Sequence, residues 1–268
     1  MRRLPLLLVL TVLFSGATST AHAQNSNDYN AVADAFSKLV QQDMMQKKMP
    51  TVQDKDAVAL IRTLSDDHRF LDSQNYTVQN FLTLTRLCQR ASEASVYYIK
   101  FDPVRATGPN ENLTALPAPK PEQANSNIRM YQDEIVPLMI FNLRCLTKAV
   151  PLVSQFYEGL KPDQRSPQYV QGTRLNREGC FSVFMSNLSL VAAAAAGPAI
   201  TEANAAAFAR SLADTVRILA PDFTLAERQK ILQTARAAEA AAPTRNKVEL
   251  DKVVEAMSRT DCQGVCTL

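Results

Sequence analysis

Histidine is nearly absent from the sequence, and its scarcity limits the available chemistry. The 268 residues contain only His22 and His68, and His22 precedes the predicted signal-peptide cleavage site. A metal site with several histidines is therefore excluded within one mature chain, and a Ser or Cys nucleophile that needs histidine must lie beside His68. His68 stands in the polar segment 65–69. There, a solvated side chain or a helix-end contact is the simpler interpretation.

The sequence also has few glycines and a small net charge, and each of these features excludes one kind of ligand site. The seven glycines form no G-x-G-x-x-G or Walker-type motif, which excludes phosphate-binding loops of those two kinds. The sequence has 29 Lys and Arg against 26 Asp and Glu; the predicted leader removes two Arg, which leaves 27 − 26 = +1. This near-neutral balance predicts no binding to nucleic acid or to an anionic membrane surface.

Residues 1–23 have the composition of a secretory signal peptide. Arg2 and Arg3 give a basic start, residues 6–14 are apolar, and the small residues around position 22 form a cleavage site. Gln24 follows the predicted cut, so the cysteine that lipid attachment requires is missing there. We therefore predict a soluble mature chain, residues 24–268, that is periplasmic or secreted and is not inserted in a membrane.

Five cysteines, an odd number, follow the predicted cut: Cys88, Cys145, Cys180, Cys262 and Cys266. An exported chain permits disulfides, and the sequence leaves their connectivity open. Our working hypothesis is that Cys88 pairs with Cys145, that Cys262 or Cys266 ties down the tail, and that Cys180 is left over. A zinc site at the last two cysteines lacks a second ligand pair and a nearby histidine. We therefore predict neither a metal nor a cofactor.

Apolar residues recur at helical spacing through most of the chain, which predicts an all-α protein of about eight to nine helices. Start signals include Ser166-Pro167, a cap at Thr201, and a capping box formed by Thr224 and Glu227. Proline at 137 predicts a kink, and a new segment is expected near Pro151. Sustained period-2 alternation is missing, so no strand is predicted.

The segment from Cys180 to Gly197 carries no charged residue. It is too short and too interrupted by serines for a membrane span, which needs about 20 apolar residues. We predict that a helix at about 167–196 lies at the centre of a helical bundle or irregular array, wrapped by the other helices.

A proline-rich stretch at 102–126 interrupts the helical pattern. It is either a linker between two helical units or a long surface loop, because compact domains rarely contain unstructured loops of this length. We favour a surface loop within a single helical domain that spans residues 24–268.

Charged side chains supply the enzyme hypotheses that remain. Carboxylates beside a predicted kink or before glycines could face a groove between helices: Asp133, Glu134, Glu158 and Glu178. Arginines that could hold a dianionic ligand are Arg86, Arg90, Arg144 and Arg174. None of these residues forms a recognisable catalytic motif, so no catalytic residue is assigned and an enzyme is not favoured.

Methionine and aromatic residues supply a binding hypothesis. Met45 and Met49 lie off the main apolar stripe of the first helix, which predicts that they are exposed, and Tyr97 and Tyr157 belong to adjacent aromatic pairs. Core packing is the alternative for the aromatic residues. The favoured function is a non-catalytic binding protein of the cell envelope, such as an inhibitor, chaperone or assembly factor. The alternative is a small-molecule binder or enzyme with an Arg/carboxylate site between helices. Oligomeric state stays open.

Overall fold

The computed structural model describes residues 20–105, 108, 111–196, 200–242 and 244–268. Over these residues the chain forms nine α-helices and no strand, which confirms the predicted all-α class. The helices are α1 (Thr20–Met45), α2 (Lys55–Leu64), α3 (Phe81–Lys100), α4 (Pro121–Met130), α5 (Gln132–Gly159), α6 (Pro167–Ala196), α7 (Glu202–Leu219), α8 (Leu225–Ala241) and α9 (Thr244–Met257). Most of the predicted signal peptide, residues 1–19, lies outside the described residues.

Local sequence signals explain where several helices begin and end. The Thr201 side chain accepts the N–H of Asn204 at the start of α7. Thr224 and Glu227 form the predicted capping box of α8, in which each side chain accepts the other residue's backbone N–H. After α1, Lys47 adopts a left-handed backbone conformation, with φ of 59°, and the chain turns away from the helix axis.

Four helices close a ring around a first hydrophobic core. In the order α1, α3, α5 and α2, each helix packs against the next, and α2 returns to α1. We call this the N-terminal ring; α4 lies against its outside, on α3 and α5. Inside the N-terminal ring, the aromatic side chain of Tyr29 stacks on that of Phe141 and contacts that of Phe70 edge-on. Burying such large side chains stabilises the fold by about 25 cal/mol per Å² of apolar surface.

Five helices form a second ring, which we call the C-terminal ring. Its order is α5, α7, α9, α8 and α6, and α6 packs back on α5. Alanines at positions 209, 213, 235 and 238 are buried in its core, around larger residues such as Phe208. Small side chains at helix contacts let the helix axes approach closely.

Helix α5 belongs to both rings. One part of its surface carries Ile135, Leu138 and Phe141 into the first core, and another carries Leu143 and Val150 into the second. The central position in the molecule is therefore occupied by α5.

The central position predicted for the helix at 167–196 is not confirmed. The helix forms with the predicted bounds, as α6, but lies at one side of the C-terminal ring. Phe184 and Leu188 are buried in the second core, whereas Ser186 and Ser189 are exposed. The serines are spaced so that they share one side of the helix, and that side faces solvent.

The break predicted near Pro151 was wrong. Helix α5 contains both Pro137 and Pro151 and continues to Gly159. Each proline removes one backbone hydrogen bond from a helix interior, which usually bends or breaks the helix. Here α5 continues through both prolines, and its apolar residues pack into both hydrophobic cores. The break in the chain comes earlier, at Tyr131, between α4 and α5.

The proline-rich segment is shorter than predicted, because α4 begins at Pro121 and the loop therefore ends at Lys120. Its described part is attached to the N-terminal ring. The Lys100 ammonium donates to the carbonyls of Thr114 and Leu116, each at 2.8 Å. Leu113 and Leu116 are buried in the first core. These contacts attach the segment to the end of α3.

Candidate functional site

Two disulfides are present, and they differ in the length of sequence that each one spans. Cys88 and Cys145 join α3 to α5 across 57 residues of sequence, as hypothesised. Cys262 and Cys266 join each other across four residues, so neither of them links the tail to a helix. Cys180 is the free cysteine among the described residues. Burial raises the pKa of its thiol to about 12, and the nearby Asp222 and Glu227 act in the same direction. Cys180 is therefore a protonated thiol at neutral pH, a poor nucleophile.

The residues predicted for a binding surface do not share one. Met45 is 44% exposed at the end of α1. Met49, Tyr97 and Tyr157 are buried, so the predicted exposure of Met49 was wrong. The turn at Lys47 reverses the chain and places Met49 in the first core. Of these four side chains, Met45 alone is available to a partner without a change in the fold.

The arginines predicted for a dianion site are distributed over the molecule. Arg144 bonds Asp67 and Asp72 and so ties the turn before α3 to α5, and Lys148 also contacts Asp72. Arg90 pairs with Asp34 and Glu93. Arg174 donates to the carbonyl oxygen of Leu268 at the chain end. Arg86 is exposed on α3. Arg144, Arg90 and Arg174 thus hold elements together, and the four guanidinium groups do not meet in one site within the described part of the chain. His68 is exposed beside the acids that bind Arg144.

The predicted carboxylates also lie apart. Asp133 accepts a hydrogen bond from Asn204 near the start of α5, and Glu158 lies at the other end of that helix. The separation of 158 − 133 = 25 positions corresponds to about 37 Å of helix. Glu134 is 3% exposed and accepts the N–H of Val52 at 2.8 Å. Burial raises the pKa of this carboxyl. Glu178, exposed on α6, is 3.8 Å from the guanidinium of Arg177.

Polar groups that the sequence did not indicate as a site lie inside the C-terminal ring. Buried Arg177 on α6 pairs with Glu227 on α8, with 3.1 Å between Nε and Oε2. Its Nη1 is buried without a hydrogen-bond partner among the described residues. Nearby, the Ser154 hydroxyl donates to Asp222 at 2.6 Å. Burial raises the pKa of Asp222, and the bond from Ser154 opposes that shift. No described histidine joins this group, because His68 belongs to the other ring.

The tail after α9 is held against this polar region. The guanidinium of Arg228, itself 2% exposed, donates to the carbonyls of Phe223, Arg259, Asp261 and Pro221. Val265 and Cys266 are buried. Gly264 has φ of 66° and lies so close to the Glu158 side chain that a Cβ would collide with it. The tail position therefore depends on glycine, on Arg228 and on Arg174.

The side of α6 that faces solvent differs from the other exposed helix sides. We call the stripe formed by Ser182, Ser186, Ser189 and Ala193 the open face of α6; Ser182 is half-buried and the other three are exposed. Half-buried apolar residues flank it on both sides: Phe181, Val183, Met185 and Leu190. No charged residue occurs from Cys180 to Ala196. The exposed side of α7, in contrast, carries Arg210, Asp214 and Arg217.

Among the helices that the structure describes, α5 is long and apolar enough to cross a membrane, and half of its most apolar window is buried.

Comparison with known proteins adds no relative: no family model, no curated protein and no solved structure matches the chain. Proposals about function therefore depend on the geometry of the chain itself.

Proposed function

We propose that the protein is an exported, non-catalytic binding protein of the cell envelope, and that a helix of a partner protein docks on the open face of α6. The observation that carries the proposal is the open face of α6 over residues 182–193, a helix side that faces solvent and carries no charged residue. Exposed sides of soluble helices normally carry charged residues. Here small residues are exposed instead, and the apolar side chains that flank them are half-buried.

The composition of the open face suits a helix as the occupant. Small residues at its centre, Ser186 and Ser189, allow a second helix backbone to approach closely. Val183 and Leu190 on one side, and Met185 on the other, would lose their remaining solvent exposure on docking. Helix-in-groove recognition uses this arrangement of apolar anchors at helical spacing. The stripe itself carries no charge, which favours a partner helix that is uncharged on its docking side; Lys230 of α8 lies over the flanking Phe181, 6.0 Å from its ring centroid.

Export is supported by the leader-like composition of residues 1–23 and by the two disulfides, which are typical of oxidising compartments. Fractionation of the host, with mass determination of the mature amino terminus, tests this part. We expect a chain that begins at Gln24 in the periplasmic or secreted fraction. An intact leader on cytoplasmic protein would contradict it.

The docking proposal is tested by photocrosslinking from position 186 in the native envelope, with a crosslinker at Gln171 as the matched control. Gln171 is exposed on the same helix but outside the uncharged segment. We expect a specific adduct with another envelope protein from position 186 and none from 171. The substitution Ser189→Lys should abolish most of that adduct, because it buries a charge in the interface, whereas Gln171→Lys should leave it unchanged.

Three outcomes would contradict this proposal. They are the lack of any adduct from position 186, equal adducts from 186 and 171, and an adduct formed only with a second copy of this chain. Circular dichroism of both lysine variants controls for the fold.

A further inference from the structure

A cleft lies between α7, α9 and the tail, on the side of the C-terminal ring where Arg228 is fixed. Its cavity volume is about 60 Å³, and it is partly open to solvent. We call it the arginine cleft; its lining residues are Arg217, Ala220, Pro221, Arg228, Ala256, Arg259 and Asp261. Three separate elements supply its guanidinium groups: α7, α8 and the tail.

Arg228 forms the inner wall with a charge that no carboxylate contacts directly in the described part of the chain. Its hydrogen bonds all go to main-chain carbonyls, at 2.7 to 3.3 Å. A guanidinium has five N–H donors, and these bonds use one on Nε, two on Nη1 and one on Nη2. One Nη2 donor is left over. The nearby carboxyl of Asp222 accepts a hydrogen bond from Ser154.

The two outer arginines are free to bind a ligand. Arg217 and Arg259 are both exposed, and neither side chain has a hydrogen bond or ion pair with another described residue. Asp261 is the acid in the lining, so three guanidinium groups and one carboxylate give 3 − 1 = +2. Elsewhere in the chain, arginines such as Arg144 and Arg90 are paired with carboxylates. The arginine cleft is therefore a local positive site on a nearly neutral protein.

We propose that the arginine cleft binds a phosphate group, either as free inorganic phosphate or as the phosphate of a monoester. A carboxylate has two acceptor oxygens and is satisfied by one guanidinium fork. Arginines that reach one cleft from three elements suit an anion with at least three acceptor oxygens and more than one negative charge, which are the properties of phosphate. The fixed inner arginine is preorganised, because its other donors are held by backbone carbonyls.

The carboxylate of Asp261 gives the proposal an internal control of opposite sign. It lies in the same lining as the three arginines and repels a bound anion. Loss of an arginine should weaken phosphate binding, whereas loss of this acid should strengthen it. General damage to the fold cannot produce both effects.

The test is isothermal titration of the full-length mature chain with inorganic phosphate and, separately, with phenyl phosphate, at constant ionic strength set by sodium chloride. We expect one site per chain. Arg217→Gln and Arg259→Gln should each weaken binding by about tenfold, the usual effect of one hydrogen bond to an ionised group. Asp261→Asn should tighten it. Arg129→Gln, at an exposed arginine on α4, is the matched control and should have no effect.

The choice of ligand separates the two sources of phosphate. Tighter binding of phenyl phosphate indicates a phosphorylated metabolite or protein, and tighter binding of inorganic phosphate indicates the free anion. A lack of saturable binding to both ligands would overturn the proposal, as would equal affinities of the wild type and both glutamine variants. The outer arginines are exposed, so their variants fold, which thermal unfolding verifies. The outcome is independent of the docking proposal, because that surface lies on α6.

Discussion

The two rings that share α5 are held together by different chemistry. In the N-terminal ring, the disulfide between Cys88 and Cys145 fixes α3 to α5, and the buried hydroxyl of Tyr29 donates to the carbonyl of Leu64. In the C-terminal ring, buried arginines link the elements. Arg177 pairs with the carboxylate of Glu227, and Arg228 donates to four main-chain carbonyls.

This difference shows two ways to stabilise a helical ring. A covalent crosslink acts mainly on the unfolded chain, whose entropy it reduces, and it is lost on reduction. A guanidinium bonded to carbonyls acts only in the folded chain, and it is costly to remove because its partners stay buried. The N-terminal ring should therefore be sensitive to reductant and the C-terminal ring to substitution.

The largest effect is expected from removing the long-range disulfide. Replacing Cys88 and Cys145 with Ala should lower the free energy of unfolding by about 4 kcal/mol, because the crosslink spans 57 residues. The matched control replaces Cys262 and Cys266, which close a much smaller loop, and should cost about 2 kcal/mol. Urea unfolding without reductant measures both values. Equal losses would show that loop size does not set the difference.

The next largest effect is expected at Arg228. Arg228→Met should lower the free energy of unfolding by about 3 kcal/mol, because four carbonyls lose their charged donor. Arg217→Met changes the same residue type at an exposed position and should stay within about 0.5 kcal/mol of the wild type. Urea unfolding of both variants gives the comparison. If the free energy of unfolding fell no more at Arg228 than at Arg217, the hydrogen bonds from Arg228 to the four carbonyls would not stabilise the C-terminal ring.

A smaller effect is expected at the surface ion network of the N-terminal ring. Arg144→Gln should cost only about 0.5 kcal/mol, since Arg144 and Asp72 are both partly exposed to water. The difference from wild type should shrink in about 1 M salt, where the Debye length is about 3 Å. Thermal unfolding at low and high salt tests this. A loss as large as that at Arg228, unchanged by salt, would contradict the contrast between the rings.

The smallest effect, with opposite sign, is expected at Glu134. Burial raises the pKa of this carboxyl above its ordinary value of 4.5, so the protonated form is favoured in the folded state. The stabilising contribution of the Glu134 carboxyl is fully present below its pKa in the unfolded chain. It is lost as the pH rises through its higher pKa in the folded chain. Glu134→Gln keeps an acceptor for the N–H of Val52 without the charge. The variant should be more stable than wild type at pH 7, with a difference that decreases toward pH 4. Urea unfolding from pH 4 to 8 measures it, and a less stable variant at pH 7 would contradict the sign.

Helical periodicity predicted the all-α class and several helix starts, because caps such as Thr201 and the box at Thr224 are local features. The pairing of Cys88 with Cys145, a working hypothesis from the sequence, is present in the structure, although the five cysteines by themselves left the connectivity open. The sequence did not predict which helix is central, because the central position depends on contacts between distant segments of the chain. Prolines in α5 suggested separate segments, and apolar packing on both sides overrode that local signal.

The candidate sites were harder to predict. Serines in the uncharged segment were treated as interruptions, although their spacing at 182, 186 and 189 places them on one side of a helix. Met49 was misplaced because the turn at Lys47 has no strong sequence signal. Nothing in the local sequence distinguishes Arg228 from the other arginines, because its partners come from the turn before α8 and from the tail.

The sharing of α5 makes the two halves unequal during synthesis. A chain that emerges from its amino terminus can close the N-terminal ring once residue 159 is available, and this ring then exposes Leu143 and Val150 as a ready-made apolar template. The later helices have no complete core until they assemble on that template. Folding of the second half is thus conditional on the first, and a nick in the segment 160–166 would leave one closed ring and one open arc of four helices.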